Sequence, residues 1–164
     1  MLTYWYTGHN MTTIYLATDH AGFELKEAVK VHLEENTSYE VYDCGALTLE
    51  VGDDYPEYMA RAAEKVQYDT MHDPSVAVIF GGSGVGEAIV ANRFAHVRAV
   101  IYAGGPLDVI KVSREHNDTN VLSIGARFVS VNEAKQAVDL FLNTPFSHDE
   151  RHADRIIQIE ELTS

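Results

Sequence analysis

A glutamate follows a cluster of glycines near the middle of the chain, in the segment VAVIFGGSGVGEAIVAN at residues 76–92. Glycine-rich turns that open a helix present backbone N–H groups and the positive end of the helix dipole to an anion. Glu87 would repel a permanently bound phosphate, but it suits an enolate-like oxyanion that exists only while a base removes a proton from carbon. The segment therefore predicts a proton-transfer site with Glu87 as the base. The groups expected to hold the oxyanion are the Ser83 hydroxyl and the N–H groups around Gly82, Gly84 and Gly86.

Nucleotide-binding motifs are the first alternative for these glycines, and both fail at residue 87. A dinucleotide-binding G-x-G-x-x-G pattern starting at Gly82 requires a third glycine where Glu87 stands. A G-x-x-x-x-G-K-[ST] phosphate loop starting at Gly81 requires a lysine at the same position. A structural explanation stays open, because a tight strand-to-helix turn needs glycines and an acid is favourable in the first turn of a helix.

Short β-rich runs alternate with amphipathic helical patterns along the chain. The predicted strands are residues 14–18, 40–42, 76–80, 99–102 and 121–124, and the predicted helices are residues 23–33, 57–67, 86–94, 107–115, 132–142 and 148–162. This alternation predicts an α/β fold with a three-layer, Rossmann-like parallel five-stranded sheet, helices on both faces and a C-terminal helix. Because such sheets bind ligands beyond the carboxyl ends of their strands, loops 18–22, 81–86 and 103–106 are expected to form the site.

Two histidines lie where they could contact a ligand. The pair Asp19-His20 directly follows the first predicted strand and is well placed to hold sugar hydroxyls. His116 could exchange a proton near neutral pH, but its segment leaves a helix and enters a strand. It would reach the site only by an unusual placement or from a neighbouring subunit. The simpler alternatives are that Asp19 caps a helix, that His20 is a surface loop residue and that His116 is a solvated residue at a helix end.

Arginines are scarce in this acidic chain, which has 12 basic and 25 acidic residues and a formal net charge of −13. Arg127 follows the last predicted strand, and Arg151 and Arg155 stand four residues apart on the final predicted helix. Converging guanidinium groups could bind a phosphate monoester, whereas ion pairs with acidic neighbours on the same helix are the alternative. His148 and His152 could hold a metal, but spacing fixes no carboxylate partner, so we expect neither metal nor cofactor.

Composition argues against several classes of protein. A chain of 164 residues suits one compact domain, expected at residues 12–164 after an N-terminal extension at residues 1–11. The negative charge argues against binding nucleic acid or an anionic membrane, and no apolar run approaches the ~20 residues that span a bilayer. The single cysteine, Cys44, excludes an internal disulfide and favours a reducing, cytoplasmic setting; we expect its side chain to be buried and unreactive.

Several motifs, in order, make residues 12–162 similar to type B ribose-5-phosphate isomerases and their relatives, the galactose- and allose-6-phosphate isomerases. The motifs are TDHAGFELK at residues 18–26, DYP at 54–56, GGSGVG at 81–86, ANR at 91–93, REHND at 114–118 and RHADRI at 151–156. The resemblance implies a metal-free aldose–ketose isomerase that opens the sugar ring and moves a proton between C1 and C2 through a cis-enediolate. It also implies homodimers, often paired into tetramers, with each active site built across the dimer interface.

The resemblance gives each candidate residue a role. Glu87 matches the base of one branch of the family, and Gly81 stands where the other branch has a catalytic cysteine. His116 would assist ring opening. The anion hole would consist of Ser83 and the N–H groups of Gly82, Gly84, Val85 and Gly86; the sugar would be held by Asp19, His20 and Asn117, and the phosphate by Arg127, Arg151 and Arg155.

The function expected from these roles is interconversion of D-ribose 5-phosphate and D-ribulose 5-phosphate in the pentose phosphate pathway. A hexose-6-phosphate isomerase acting on allose or galactose 6-phosphate is the nearest alternative. A noncatalytic sugar-phosphate sensor is a second alternative, although binding alone requires neither a base such as Glu87 nor a ring-opening acid such as His116.

Overall fold

The computed structural model of the protein describes residues 13–70 and 74–163. Its elements in chain order are β1 (Thr13–Thr18), α1 (Phe23–Asn36), β2 (Glu40–Asp43), α2 (Tyr55–Thr70), β3 (Val76–Gly81), α3 (Val85–Ala91), β4 (Ala99–Tyr102), α4 (Asp108–Asn117), β5 (Val121–Gly125), α5 (Val131–Asn143) and α6 (Glu150–Thr163). Each predicted element is present, with its bounds within three residues of those predicted. The proposed extension at residues 1–11 lies outside the described residues, and among those described no helix is long and apolar enough to cross a membrane.

The sheet has five parallel strands in the order β2-β1-β3-β5-β4. The predicted α/β fold and parallel sheet are therefore confirmed. Strand β3 lies at the centre, where Val78 pairs with Leu16 of β1 and Leu122 of β5. All six residues of β3 are buried, which is the continuous apolar pattern expected of a strand covered on both faces.

Alternate residues of each strand feed two separate cores, because successive side chains of a strand point to opposite faces. On one face, side chains such as Leu16 and Phe80 pack against α1, α4 and α5. On the other, side chains such as Ala17 and Ile79 pack against α2 and α3. Helix α6 has one buried residue in its described part, His152, and otherwise lies at the surface. The predicted three layers and C-terminal helix are both present.

The strand order reverses between β1 and β3, because β2 lies on one side of this pair and β5 and β4 lie on the other. Open α/β sheets bind ligands in the crevice at such a reversal, outside the carboxyl ends of the strands. The chain is tightly packed at this point, because a Cβ added to Gly22 would lie 2.6 Å from both Phe80 Cβ and Thr18 Oγ1. The loops that follow β1 and β3 therefore meet at this edge of the sheet.

Candidate active site

Glu87 lies in the first turn of α3, and its side chain folds back over the end of β3. Only 4% of the residue is exposed, and a Cβ added to Gly81 would lie 1.8 Å from Glu87 Oε1 and 2.1 Å from its Cδ. The carboxyl group thus fills the space that any side chain at residue 81 would need. Its Oε2 atom is buried and accepts no hydrogen bond from the described residues.

The surroundings of Glu87 favour the protonated carboxyl group. Burial raises the pKa of Glu87 by more than the backbone N–H groups of Gly84 and Glu87 lower it, and the charge of Asp19 adds to the rise. A carboxylate whose pKa is raised is a stronger base than an ordinary one. The site is suited to accepting a proton and returning it.

The glycine turn beside Glu87 is fixed to the end of β5. Gly84 begins α3 with a φ of +77°, and its carbonyl accepts a 2.7 Å hydrogen bond from Ser123 Oγ. The exposed hydroxyl of Ser83 accepts a 3.3 Å hydrogen bond from the N–H of Val85, which leaves its own proton free for donation to a ligand. The turn thus combines the structural role of a tight strand-to-helix connection with a set of donors at the crevice.

The Asp19-His20 pair follows β1 into the same crevice. Asp19 is buried, and its Oδ1 accepts a 2.9 Å hydrogen bond from the N–H of Ala21, so it stabilises the turn that leads into α1. His20 is held by a residue that the sequence analysis did not select. Asp53 Oδ1 lies 2.8 Å from both the backbone nitrogen and the ring Nδ1 of His20. The sequence signal for Asp53 is its position directly before the DYP motif, which begins at Asp54.

Of the described residues, Asp19, His20 and Asp53 form the group of three that could hold a metal, with ligand atoms within 4.8 Å of one another. The pair considered from the sequence, His148 and His152, is not part of this group. The ring Nδ1 of His20 already contacts Asp53 at 2.8 Å, a distance that a hydrogen bond explains without an ion.

Arg127 brings a cation to the glycine turn. Its backbone N–H donates a 3.2 Å hydrogen bond to the carbonyl of Gly82, and a Cβ added to Gly82 would lie 3.1 Å from the Arg127 guanidinium carbon. The guanidinium group is thus stacked on the backbone of residue 82. Tyr55, from the DYP motif, covers the other side of the turn, since a Cβ on Gly86 would lie 2.7 Å from its hydroxyl oxygen.

His116 and Asn117 lie near the amino ends of the strands, whereas Glu87 lies near their carboxyl ends. They end α4 immediately before the amino end of β5, whereas the glycine turn is fixed at the carboxyl end of β5. The His116 ring stacks on the buried ring of His152, with centroids 4.2 Å apart and planes inclined by 12°. One chain therefore does not bring His116 to Glu87.

The turn that carries His116 and Asn117 is held by Arg114, the first residue of the REHND motif, and by Arg98, which belongs to none of the quoted motifs. Asp118, with a φ of +43°, accepts hydrogen bonds of 3.1 Å from Arg98 and from Arg114. Arg98 Nε also lies 3.0 Å from the carbonyl oxygens of Asn117 and Asp118. These contacts fix the conformation of the chain at the end of α4.

Arg151 and Arg155 lie on α6, on either side of His152 in the sequence. Both are exposed, and neither forms an ion pair with another residue in the described ranges. The intrahelical ion pairs offered as an alternative are absent from that part of the chain. Cys44 is buried, as predicted, and burial raises its thiol pKa to about 11.

Comparison with known proteins gives consistent relatives. Residues 14–159 match a protein family that is described as Ribose/Galactose Isomerase. Ribose-5-phosphate isomerase B of Mycolicibacterium paratuberculosis is 40% identical over 144 residues, which are 87% of this chain and 86% of the relative. The structure of ribose-5-phosphate isomerase B from Mycoplasma genitalium with bound ribulose-5-phosphate superposes with a TM-score of 0.86 at 31% identity, covering 94% of this chain and 97% of that one. The type B enzyme of Trypanosoma cruzi gives a TM-score of 0.84 at 33% identity, over 93% and 96% of the two chains. The chain belongs to the ribose/galactose isomerase family.

Proposed function

We propose that the protein is an aldose–ketose isomerase that interconverts D-ribose 5-phosphate and D-ribulose 5-phosphate. The observation that carries the proposal is the buried Glu87 carboxyl group, with one oxygen free of hydrogen bonds from the described residues, beside a donor-rich turn at the reversal point of the sheet. The names of the relatives, and the ribulose-5-phosphate bound in one of them, support this choice of substrates.

The chemistry follows from one base and one set of donors. Glu87 takes the proton from C2 of the open-chain aldehyde, and the electrons left behind form a cis-enediolate whose negative charge rests on O1. The N–H groups of residues 82–86 and the Ser83 hydroxyl stabilise that charge as it develops. Glu87 then returns the proton to C1 while a proton passes from O2 to O1, which yields the ketose. The raised pKa makes the Glu87 carboxylate a stronger base for removing the proton from C2.

Substrate binding is divided between the two edges of the sheet. Asp19 and His20 hold sugar hydroxyls next to Glu87, and Arg127 supplies a cation beside the turn. His116, as the ring-opening acid or base, and Asn117, as a sugar ligand, lie at the other edge with the phosphate ligands Arg151 and Arg155. A second copy of the chain must therefore complete the site, which is the basis for proposing a homodimer that can pair into a tetramer.

Exposed apolar side chains support this assembly. Val85 and Ile89 flank Glu87 in the sequence of α3 and are 46% and 53% exposed, although they adjoin the proposed site. Ile157 and Ile159, on the helix that carries Arg151 and Arg155, are 54% and 45% exposed. Covering these residues with a second copy would bury apolar surface and bring the two sets of site residues together.

Isotope exchange tests the reaction directly. We expect turnover of ribose 5-phosphate in D₂O to incorporate deuterium at the exchanging carbon, without added metal or cofactor. Allose 6-phosphate and galactose 6-phosphate, assayed under the same conditions, should give lower kcat/KM values. Absence of exchange and turnover with ribose 5-phosphate would refute the proposal, and a higher kcat/KM with a hexose phosphate would favour the hexose-phosphate alternative.

Subunit complementation tests the shared site. Glu87→Gln and His116→Asn should each be inactive alone, whereas a refolded mixture should regain up to about a quarter of wild-type activity, because a mixed dimer has one site with both wild-type residues. Each variant refolded alone is the control. If the mixture gains no activity although mixed dimers form, His116 does not act across the interface.

The single buried thiol and the proposed substrates also lead us to propose a cytoplasmic role in the pentose phosphate pathway.

A further inference from the structure

Asp53 has no role in the chemistry proposed above, yet it makes the closest contacts to His20. Its Oδ1 accepts a 2.8 Å hydrogen bond from the backbone N–H of His20 and lies 2.8 Å from the ring Nδ1 of the same residue. The side chain of Asp53 is 9% exposed and that of His20 is 32% exposed. A buried carboxylate thus holds a histidine that reaches into the crevice.

This contact determines which ring nitrogen of His20 carries the proton. An ionised carboxylate can only accept hydrogen bonds, so Nδ1 must be the donor to Asp53. In the neutral ring the proton therefore stays on Nδ1, and Nε2 on the far side is an acceptor. When the ring is protonated, Nε2 becomes a second donor. In both states the hydrogen bond to Asp53 fixes the plane of the ring.

The charges around His20 favour the protonated ring. The hydrogen bond that the ring donates to Asp53 is the largest contribution to a raised His20 pKa; burial opposes it, and the charge of Asp19, whose Oδ2 is 4.0 Å from Nδ1, adds to it. Tyr58 of α2 hydrogen-bonds Asp53, and the charge of Asp19 also acts on Glu87. When the His20 ring is protonated, it gives the crevice a cationic donor in a chain with a net charge of −13.

We propose that Asp53 is a positioning residue that orients the His20 ring through Nδ1, so that Nε2 contacts an oxygen of the substrate. This proposal rests on the proposed function, because it takes the crevice to be the sugar-phosphate site. The neighbouring residue Asp54 provides a matched control, since it is exposed and has no hydrogen bond or ion pair with the described residues. The same charge change at residue 54 should therefore leave His20 unaffected.

The first test measures the His20 ring without substrate. The method is NMR of full-length protein with labelled histidines, in which the His20 signals are assigned from a His20→Gln variant. We expect wild type and Asp54→Asn to show the tautomer protonated on Nδ1 at high pH. In Asp53→Asn this tautomer should no longer predominate over the one protonated on Nε2, and the midpoint of the His20 titration should fall by at least about half a pH unit. Wild-type protein with the proton on Nε2 would overturn the proposal without any variant, as would an unchanged titration in folded Asp53→Asn.

The second test measures catalysis by the same variants. Asp53→Asn should raise KM for ribose 5-phosphate roughly 10-fold with a smaller change in kcat, as expected when a charged hydrogen bond that orients a binding group is lost. The pH at which KM begins to rise should also fall, whereas Asp54→Asn should match wild type in both respects. Equal KM values and pH profiles in the two variants would overturn the proposal. If wild-type protein fails to isomerise ribose 5-phosphate, the proposed function is refuted. The NMR measurement of the His20 ring, which needs no substrate, then decides the role of Asp53 by itself.

Discussion

Replacing Gly81 with alanine should inactivate the enzyme by displacing Glu87, although residue 81 takes no part in the proposed chemistry. The added methyl carbon would lie 1.8 Å from Glu87 Oε1, 2.1 Å from Cδ and 2.8 Å from Cγ. The first two atoms belong to the carboxyl group that we propose as the base, and Cγ is the carbon that carries it. To reach an ordinary contact distance of 3.4 Å, the carboxyl oxygen must move by about 1.6 Å.

The size of this displacement sets the expected loss of activity. A shift of about 1 Å in a catalytic group can cost roughly 10²-fold in rate, so we expect Gly81→Ala to lower kcat by at least about 10²-fold. The change in KM should be smaller, because the three atoms nearest to the added carbon all belong to Glu87 and not to the groups proposed to hold the sugar phosphate. Overpacking should also lower the free energy of unfolding by about 1–3 kcal/mol.

A double-mutant cycle separates this explanation from a general distortion of the sheet. In a Glu87→Ala background the conflicting side chain is absent, so adding Gly81→Ala should change neither kcat nor the free energy of unfolding appreciably. Rates come from the isomerase assay and stabilities from urea unfolding of all four proteins. If Gly81→Ala retains wild-type kcat, or causes the same loss of stability in both backgrounds, the steric explanation is wrong.

Four further outcomes follow from the structure. Glu87→Gln should lower kcat by roughly 10²–10⁴ with a smaller change in KM, measured by steady-state kinetics, and near-normal turnover would eliminate Glu87 as the base. Because the folded-state pKa of Glu87 is raised, its contribution to stability is greatest below its ordinary pKa of 4.5 and falls as the pH rises through the folded-state value. Urea titrations should show this pH dependence in wild type and not in Glu87→Gln. Arg151→Ala should mainly raise KM, since phosphate binding serves ground and transition states alike, and an unchanged KM in folded protein would contradict its phosphate role. Ser130→Ala should lower the free energy of unfolding by about 1 kcal/mol without changing kcat, because Ser130 and Glu133 form a capping box at the start of α5; an unchanged urea midpoint would contradict this.

The elements of the fold could be predicted because their patterns are local, and the errors lie at helix ends. Helix α2 begins at Tyr55 instead of residue 57, since Pro56 is tolerated in a first turn where its missing N–H would have no partner. Helix α1 extends to Asn36 through polar residues that carry no apolar period. Helix α3 ends at Ala91 instead of residue 94, because the Asn92 side chain instead hydrogen-bonds the backbone of Ala99 in β4.

The two halves of the candidate site were accessible to sequence reasoning to different degrees. Residues in the loops after β1 and β3 could be chosen because parallel strands bring their carboxyl ends to one edge. The pairing of Asp53 with His20 could not be predicted, because the Asp53 side chain contacts the backbone and the ring of a residue 33 positions away. No local pattern in the sequence distinguishes Asp53 from the adjacent Asp54. The anchoring of Asp118 by Arg98 is of the same long-range kind.

The shared space at residues 81 and 87 also constrains how this catalyst can evolve. A lineage that acquires a cysteine at 81 while keeping Glu87 must fit a sulfur and a carboxyl group into one volume, whereas a lineage that first loses the glutamate has neither base. With Glu87 as the proposed base, we expect each ordering of the two substitutions to pass through an inactive ancestor. An exchange of thiol for carboxylate therefore requires paired mutations or a duplicated gene that tolerates the interval, which would keep the two kinds of active site apart over long descent.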